Sequence, residues 1–330
     1  MYDTSDIPPT SPIQLREIHN ALLTQNVTNA RTAGNDWIER ATPRGMASDI
    51  RNGEMPLDYS FAALNEAGSE LLESAVRFSW WSKNKPIDPV NTYVELVDIL
   101  HFLLSHTLAI SLVCAEQDGP DDESGADPTP STGPLASALR DLAPDGTTFA
   151  NRVMHIAVAT VMQCVLTPHP TTQLLGTLFP SNGMPEPEDL RMYSSYMDRV
   201  KVRGLIRHLC QEPSLTHEPH ELQHQLALAW SYFWSCCSIP EGQRDAGGRK
   251  VLSFFYGKAA LNRFRQDNGY KEGLYTKVWA DGREDNAHLA AWFFAQATPP
   301  NLEACYDWLK VTYPIASAAQ GKEATESIQS

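Results

Sequence analysis

Positive charge is what this chain is short of. Its 26 Lys and Arg stand against 40 Asp and Glu, a net charge of −14. A protein that grips DNA or RNA needs a basic footprint to displace counterions, so a nucleic-acid partner is excluded. Small anions remain open wherever cations gather locally. Uninterrupted apolar runs are also scarce. The most apolar stretch, 96–114, carries Asp98, His101, Ser105 and His106, which are costly inside a bilayer. It reads as a buried helix, so no membrane partner is expected. The opening Met1-Tyr2-Asp3-Thr4-Ser5-Asp6 lacks the basic-then-apolar pattern of a leader, and a cytoplasmic location is expected. The six cysteines show no zinc-type spacing, and the adjacent Cys236 and Cys237 are poor partners for each other. Reduced thiols follow. Strand-like alternation is nearly missing, with one short candidate near Tyr275–Trp279.

What is present is helical periodicity, and at 42% hydrophobic residues it suffices for a full core. Ser11-Pro12 reads as N-cap and first position of a helix to about Thr28. Asp58 opens a second helix through Trp81, and Asp88-Pro89 a third through Leu112. Helices resume near 149–166, 187–211, 219–236, 246–266 and 301–312. Residues 116–134, acidic and rich in Pro, Gly and Ser, read as a flexible loop or linker. The expected architecture is all-α, one catalytic unit over 1–330. A helical bundle core holds the motifs at 11–113 and 250–290, a variable helical lobe spans 149–240, and 318–330 form a disordered tail.

Two constellations carry chemistry. Side chains three or four apart share a helix face, which pairs Glu66 with Glu70, Glu70 with Glu73, and Glu95 with Asp98. Glutamates at 66–73 alone would be read as a solvated face. Glu95 and Asp98, flanked by Tyr93, Val94, Leu96, Val97, Ile99 and Leu100, are different, because buried acids need partners. If the two helices pack together, four carboxylates converge and raise one another's pKa unless a cation intervenes. Oxygen-only ligands suit Mg²⁺, with Mn²⁺ the alternative ion. The second constellation places Lys258, Asn262 and Arg265 on one helical stripe, followed by Lys271, Tyr275, Lys277 and Asp285-Asn286. Lys and Arg give charge-assisted hydrogen bonds to phosphate oxygens. A competing pattern, His220-Glu221-Leu222-Gln223-His224, satisfies the His-Glu-x-x-His zinc-peptidase signature, but no third ligand follows at a suitable spacing. It also suits a plain amphipathic helix.

In their order these pieces resemble the dimeric dUTPase family of the all-α NTP pyrophosphohydrolases. Gln25-Asn26-Val27-Thr28-Asn29 with Trp37 is similar to the first motif of that family. Glu70-Leu71-Leu72-Glu73-Ser74, then Phe78-Ser79-Trp80-Trp81-Ser82-Lys83-Asn84, resembles the second, and Glu95-Leu96-Val97-Asp98-Ile99-Leu100-His101-Phe102 the third. The block from Lys258 to Asn286 is similar to the last two. One departure stands out: the family pattern is Glu-x-x-Glu, whereas here Glu66 precedes Glu70 by four, with Ala67 at the expected place. Glu66 or Glu73 is therefore the fourth ligand.

The resemblance implies Mg²⁺-dependent hydrolysis of dUTP to dUMP and pyrophosphate in a homodimer, with dUDP as a further candidate substrate. It implies that Glu66, Glu70, Glu95 and Asp98 hold the metals and carry catalysis. Gln25 and Asn29 would read the pyrimidine edge, and Trp37, Trp81, His101 and Phe102 would shape the base and sugar pocket. Lys258, Asn262, Arg265, Tyr275, Lys277 and Asn286 would hold the phosphates. A dCTP or modified-pyrimidine pyrophosphatase is the alternative within the class, because an amide presents donor or acceptor. A zinc peptidase or a non-catalytic nucleotide-binding scaffold is the alternative outside it.

Overall fold

The computed structural model describes residues 15–59, 67–76, 89–117, 149–166, 219–237 and 244–313. Nine helices are labelled here: α1 Leu15–Ala33, α2 Trp37–Arg40, α3 Pro43–Arg51, α4 Gly68–Val76, α5 Pro89–Gln117, α6 Phe149–Leu166, α7 Pro219–Cys236, α8 Arg244–Asp267 and α9 Asp285–Phe294. Residues 302–313 add a further helix. The expected strand near Tyr275–Trp279 shrinks to one isolated antiparallel bridge, Val278 to Glu284. The protein is all-α.

The bundle is organised around α5. Apolar on nearly every side, it is the sort of helix that must be surrounded, and α1, α4, α6, α7, α8 and α9 all pack on it. Its span 90–116 is long and apolar enough to cross a membrane, yet 78% of its most apolar window is buried inside the protein. Leu96, Ile99, Leu103 and Leu104 are fully buried and join Leu22 of α1, Leu71 of α4, Val161 of α6, Trp230 of α7 and Phe255 of α8 in one core. Thus α6 and α7, from the segment expected to form a variable lobe, share the core of the motif-bearing helices.

Local chemistry sets the element ends. α1 runs past Thr28 to Ala33 and stops at Gly34, whose φ of +100° suits a residue without Cβ. Thr42 caps α3 by accepting the Gly45 N–H at 3.1 Å, with Pro43 at the first helical position. At the α7–α8 junction, a Cβ on Gly247 would lie 1.7 Å from the Cys237 carbonyl oxygen, so only glycine permits this approach. α4 is entered through a π turn at Ala67, between Glu66 and Glu70. The expected opening at Ser11-Pro12, residues 118–134 of the expected linker, the 187–211 helix and the 318–330 tail lie outside the described residues.

Candidate active site

Three helices meet at the acidic centre. α5 supplies Glu95 and Asp98, α4 supplies Glu70, and α8 supplies Lys258. Lys258 is 3% exposed and its Nζ donates to Asp98 Oδ2 at 2.9 Å. A buried ammonium needs such a partner, and the pair ties α8 to α5. Glu95 is also buried, and its Oε2 finds no hydrogen-bond partner among the described residues. Burial, the charges of Asp98 and Glu70, and a hydrogen bond with Glu70 push its pKa up to about 8, against the opposing pull of Lys258. Glu70 itself is exposed. One ammonium among three acids leaves negative charge uncompensated, and every free donor is a carboxylate oxygen, which is the chemistry a hard divalent cation takes. Among the described residues no group of three or more His, Cys, Asp and Glu is closed around a metal position. Glu66 and the side chain of Glu73 lie outside those residues.

One to two turns along α5, a polar cluster bridges to α1. Gln25, Asn29, His101 and Ser105 are all buried. Gln25 Nε2 donates to Asn29 Oδ1 at 2.8 Å and to Ser105 Oγ at 2.9 Å, and Asn29 Nδ2 donates to Ser105 Oγ at 2.8 Å. Gln25 Oε1 lies 2.6 Å from His101 Nδ1, and Ser105 Oγ–H donates to the His101 carbonyl at 2.8 Å. Burial lowers the pKa of His101 to about 4, so the ring is neutral near pH 7. It leans on Phe255, with ring centroids 4.5 Å apart.

The third group lies at the end of α8. Arg265 donates bidentately to Asp285, Nε to Oδ2 at 2.9 Å and Nη2 to Oδ1 at 2.7 Å, and reaches Asn286 Oδ1 at 3.3 Å. Tyr275 OH donates to Asp285 Oδ2 at 2.9 Å. Asp285 is fully buried, and burial followed by the Asp285 charge raises the Tyr275 pKa strongly. Gly269, at φ +79°, turns the chain after α8 so that its carbonyl accepts the Leu274 N–H at 2.9 Å.

The expected site residues therefore fall into clusters. Glu70, Glu95, Asp98 and Lys258 come together, as do Gln25, Asn29 and His101, and as do Arg265, Tyr275 and Asn286. Asn262 is half-buried, and the exposed Lys277 ammonium lies 5.3 Å from the Tyr270 ring. Trp37 is a core residue, 1% exposed, donating to Asn26 Oδ1 at 3.1 Å and meeting Tyr59 edge-on; Tyr59 in turn contacts Phe102. Trp81 and the side chains of His220, Glu221 and His224 lie outside the described residues. A cavity of about 460 Å³ opens between α1, α8 and the start of the last helix, lined by Leu23, Val27, Arg31, Arg263 and Gln266 among others. It holds none of the expected site residues, so the chemistry is better located by the charged clusters than by this hollow.

Two residues with central positions were not singled out from the sequence as site residues. Ser105 shares the α5 stripe with Glu95 and Asp98, a spacing that was available. Asp285 adjoins Asn286 but reveals its role only once α8 is seen beside it.

Residues 18–166 match the family model described as dUTPase. Over that segment, which is under half of the chain, the protein is similar to the all-α dUTPase family. The match supports a dUTP diphosphatase-like enzyme, and it takes in α1, α4 and α5 with both the carboxylates and the Gln25–Ser105 cluster. A search of curated proteins finds no match to the chain. The α8 and α9 residues fall beyond the matched segment, so the link of α8 to the site rests on geometry, the Lys258 Nζ donating to Asp98 Oδ2 at 2.9 Å.

Proposed function

We propose that this protein hydrolyses dUTP to dUMP and pyrophosphate with Mg²⁺, accepts dUDP as a second substrate, and works as a cytoplasmic homodimer. The observation that carries the reading is the buried, unpartnered Glu95 Oε2 beside Asp98 and Glu70. Mg²⁺ is the hard cation that suits an all-oxygen donor set, and Glu66, Glu70, Glu95 and Asp98 are the residues we assign to it. Bound there, the ion would neutralise phosphate charge and polarise the phosphoryl oxygens.

The chain's own residues would do the rest. We assign Glu70 to orient the attacking water and take its proton; exposure gives it access to solvent, and the hydrogen bond with Glu95 limits its freedom. Lys258 holds Asp98 and presents an ammonium to the phosphates, with Asn262, Lys277 and Asn286 completing that side. Arg265 and Tyr275 reach the same region through Asp285, which orients them. We assign Gln25, Asn29 and His101 to the pyrimidine edge, and Phe102 and Trp81 to the sugar and base.

The test is a substrate panel. Purified protein with Mg²⁺ and dUTP, dUDP, dCTP, dTTP or UTP should convert dUTP to dUMP and pyrophosphate, and chelator should stop it. Turnover undiminished by chelator, or pyrophosphate-free products from dUTP, would overturn the mechanism.

A further inference from the structure

Ser105 leaves the Gln25–Asn29–His101 cluster only one arrangement of protons. A serine hydroxyl has one hydrogen to give and two lone pairs to offer. Ser105 gives its hydrogen to the His101 carbonyl at 2.8 Å. It can then only accept, so the amide nitrogens of Gln25 and Asn29, 2.9 and 2.8 Å away, both point toward it. Both amide oxygens consequently point away. Gln25 Oε1 faces His101 Nδ1 at 2.6 Å, and an amide oxygen only accepts, so Nδ1 carries the ring proton. Nε2 is left as a bare lone pair, buried and without a hydrogen-bond partner among the described residues. Asn29 retains one unused N–H.

We infer that Ser105 is the specificity-determining positioning residue of this enzyme, locking His101 as an acceptor so that the site takes uracil and rejects cytosine. The inference rests on the proposed reading that this cluster faces the base. Uracil offers an N3–H donor flanked by carbonyl oxygens, which complements an acceptor beside a donor. Cytosine offers a bare N3 beside an amine. Two lone pairs would then oppose each other, and a buried polar site rejects a ligand that leaves its groups unpaired. Turning the Gln25 amide over would put its nitrogen against His101, move the ring proton to Nε2 and favour cytosine. Ser105 blocks that turn.

The first measurement is ¹⁵N spectroscopy of the histidine rings in the unmodified enzyme, with His101 assigned by its loss in a His101→Asn variant. A proton on Nδ1 is expected; a proton on Nε2 overturns the inference whatever the variants do. In Ser105→Ala the ring should populate both tautomers, and the preference for dUTP over dCTP in kcat/KM should fall roughly tenfold, the worth of one buried hydrogen bond. Ser105→Thr, which keeps the hydroxyl, should restore both. An unchanged tautomer in Ser105→Ala overturns the inference. So does a mixed tautomer with unchanged preference, and Asn29→Ala then separates the causes. If Asn29→Ala moves the preference, base reading stands and only the role of Ser105 fails. If it does not, the base-reading assignment has failed as well.

Discussion

The Lys258 ammonium sits 2.9 Å from Asp98 Oδ2 while only 3% exposed. It is an internal cation placed against an acidic cluster, and it compensates one carboxylate while leaving Glu95 with an unpartnered oxygen. The acidic centre is therefore satisfied in part by the chain and in part left to something brought from outside.

Replacing Lys258 by Met should expose that division. Removing one member of a buried pair costs on the order of 3 kcal/mol, so in chelator the urea midpoint should fall. Added Mg²⁺ should return part of the loss, because the cation takes over the compensation. An unaltered midpoint would mean the pair contributes nothing to stability.

Stability should also depend on pH in a direction that Glu95 sets. Its pKa is raised in the folded state to about 8 from a model-peptide value of 4.5. Between those values the folded protein binds more protons than the unfolded chain, so this group's contribution falls as pH rises, by at most about 1.4 kcal/mol per unit. In chelator, the melting temperature should decline from pH 5 toward pH 8. Mg²⁺ should raise it, and by more at the alkaline end. A cation effect independent of pH would argue against binding at Glu95.

Glu95→Gln separates the charge from the shape. Turnover of dUTP should drop by at least about 10²-fold, while in chelator at pH 8 the variant should melt at a higher temperature than the parent, since the like-charge repulsion is gone. Retained turnover in a folded variant would remove Glu95 from the mechanism.

Arg265→Lys should behave as a structural lesion. Lysine cannot span both oxygens of Asp285, and the loss of a bidentate, charge-assisted pair should cost about 2–3 kcal/mol by urea titration. Activity measured well below the unfolding range should fall less than in Glu95→Gln. The reverse ranking would show that Arg265 meets the phosphates directly.

Much of this arrangement could be read from residues alone, and the rest could not, for identifiable reasons. α5, α6, α7 and α8 fall close to their expected bounds because long apolar periodicity, with proline at the first position in α5 and α7, is a local signal. The stop of α1 at Gly34 carries a local signal too, as does the Thr42-Pro43 start of α3, but α3, at 9 residues, is too short for periodicity to draw attention to it. α9 is a short helix, and the chain before it pairs only through Val278 and Glu284, so alternation there suggested a strand that the fold does not extend. Glu95 and Asp98 are conspicuous as acids in an apolar helix. Arg265 is conspicuous as a cation, yet its partner Asp285 lies across a turn, and no spacing rule announces a tertiary pair. Ser105 in an apolar helix reads as a hydroxyl bonded to its own backbone, which it is; its two amide partners come from α1.

Asp98 and Ser105 are seven residues apart on one unbroken helix, about 10 Å at 1.5 Å per residue. α5 is thus a fixed measuring rod, with charge handling marked at one point and base polarity at another. Because the rod is the buried axis of the bundle, the two marks cannot drift without unwinding the core. Under the proposed reading, a nucleotide of the wrong length or the wrong edge fails by misregistration along a single rigid scale, with no closing of separate lobes required to judge it.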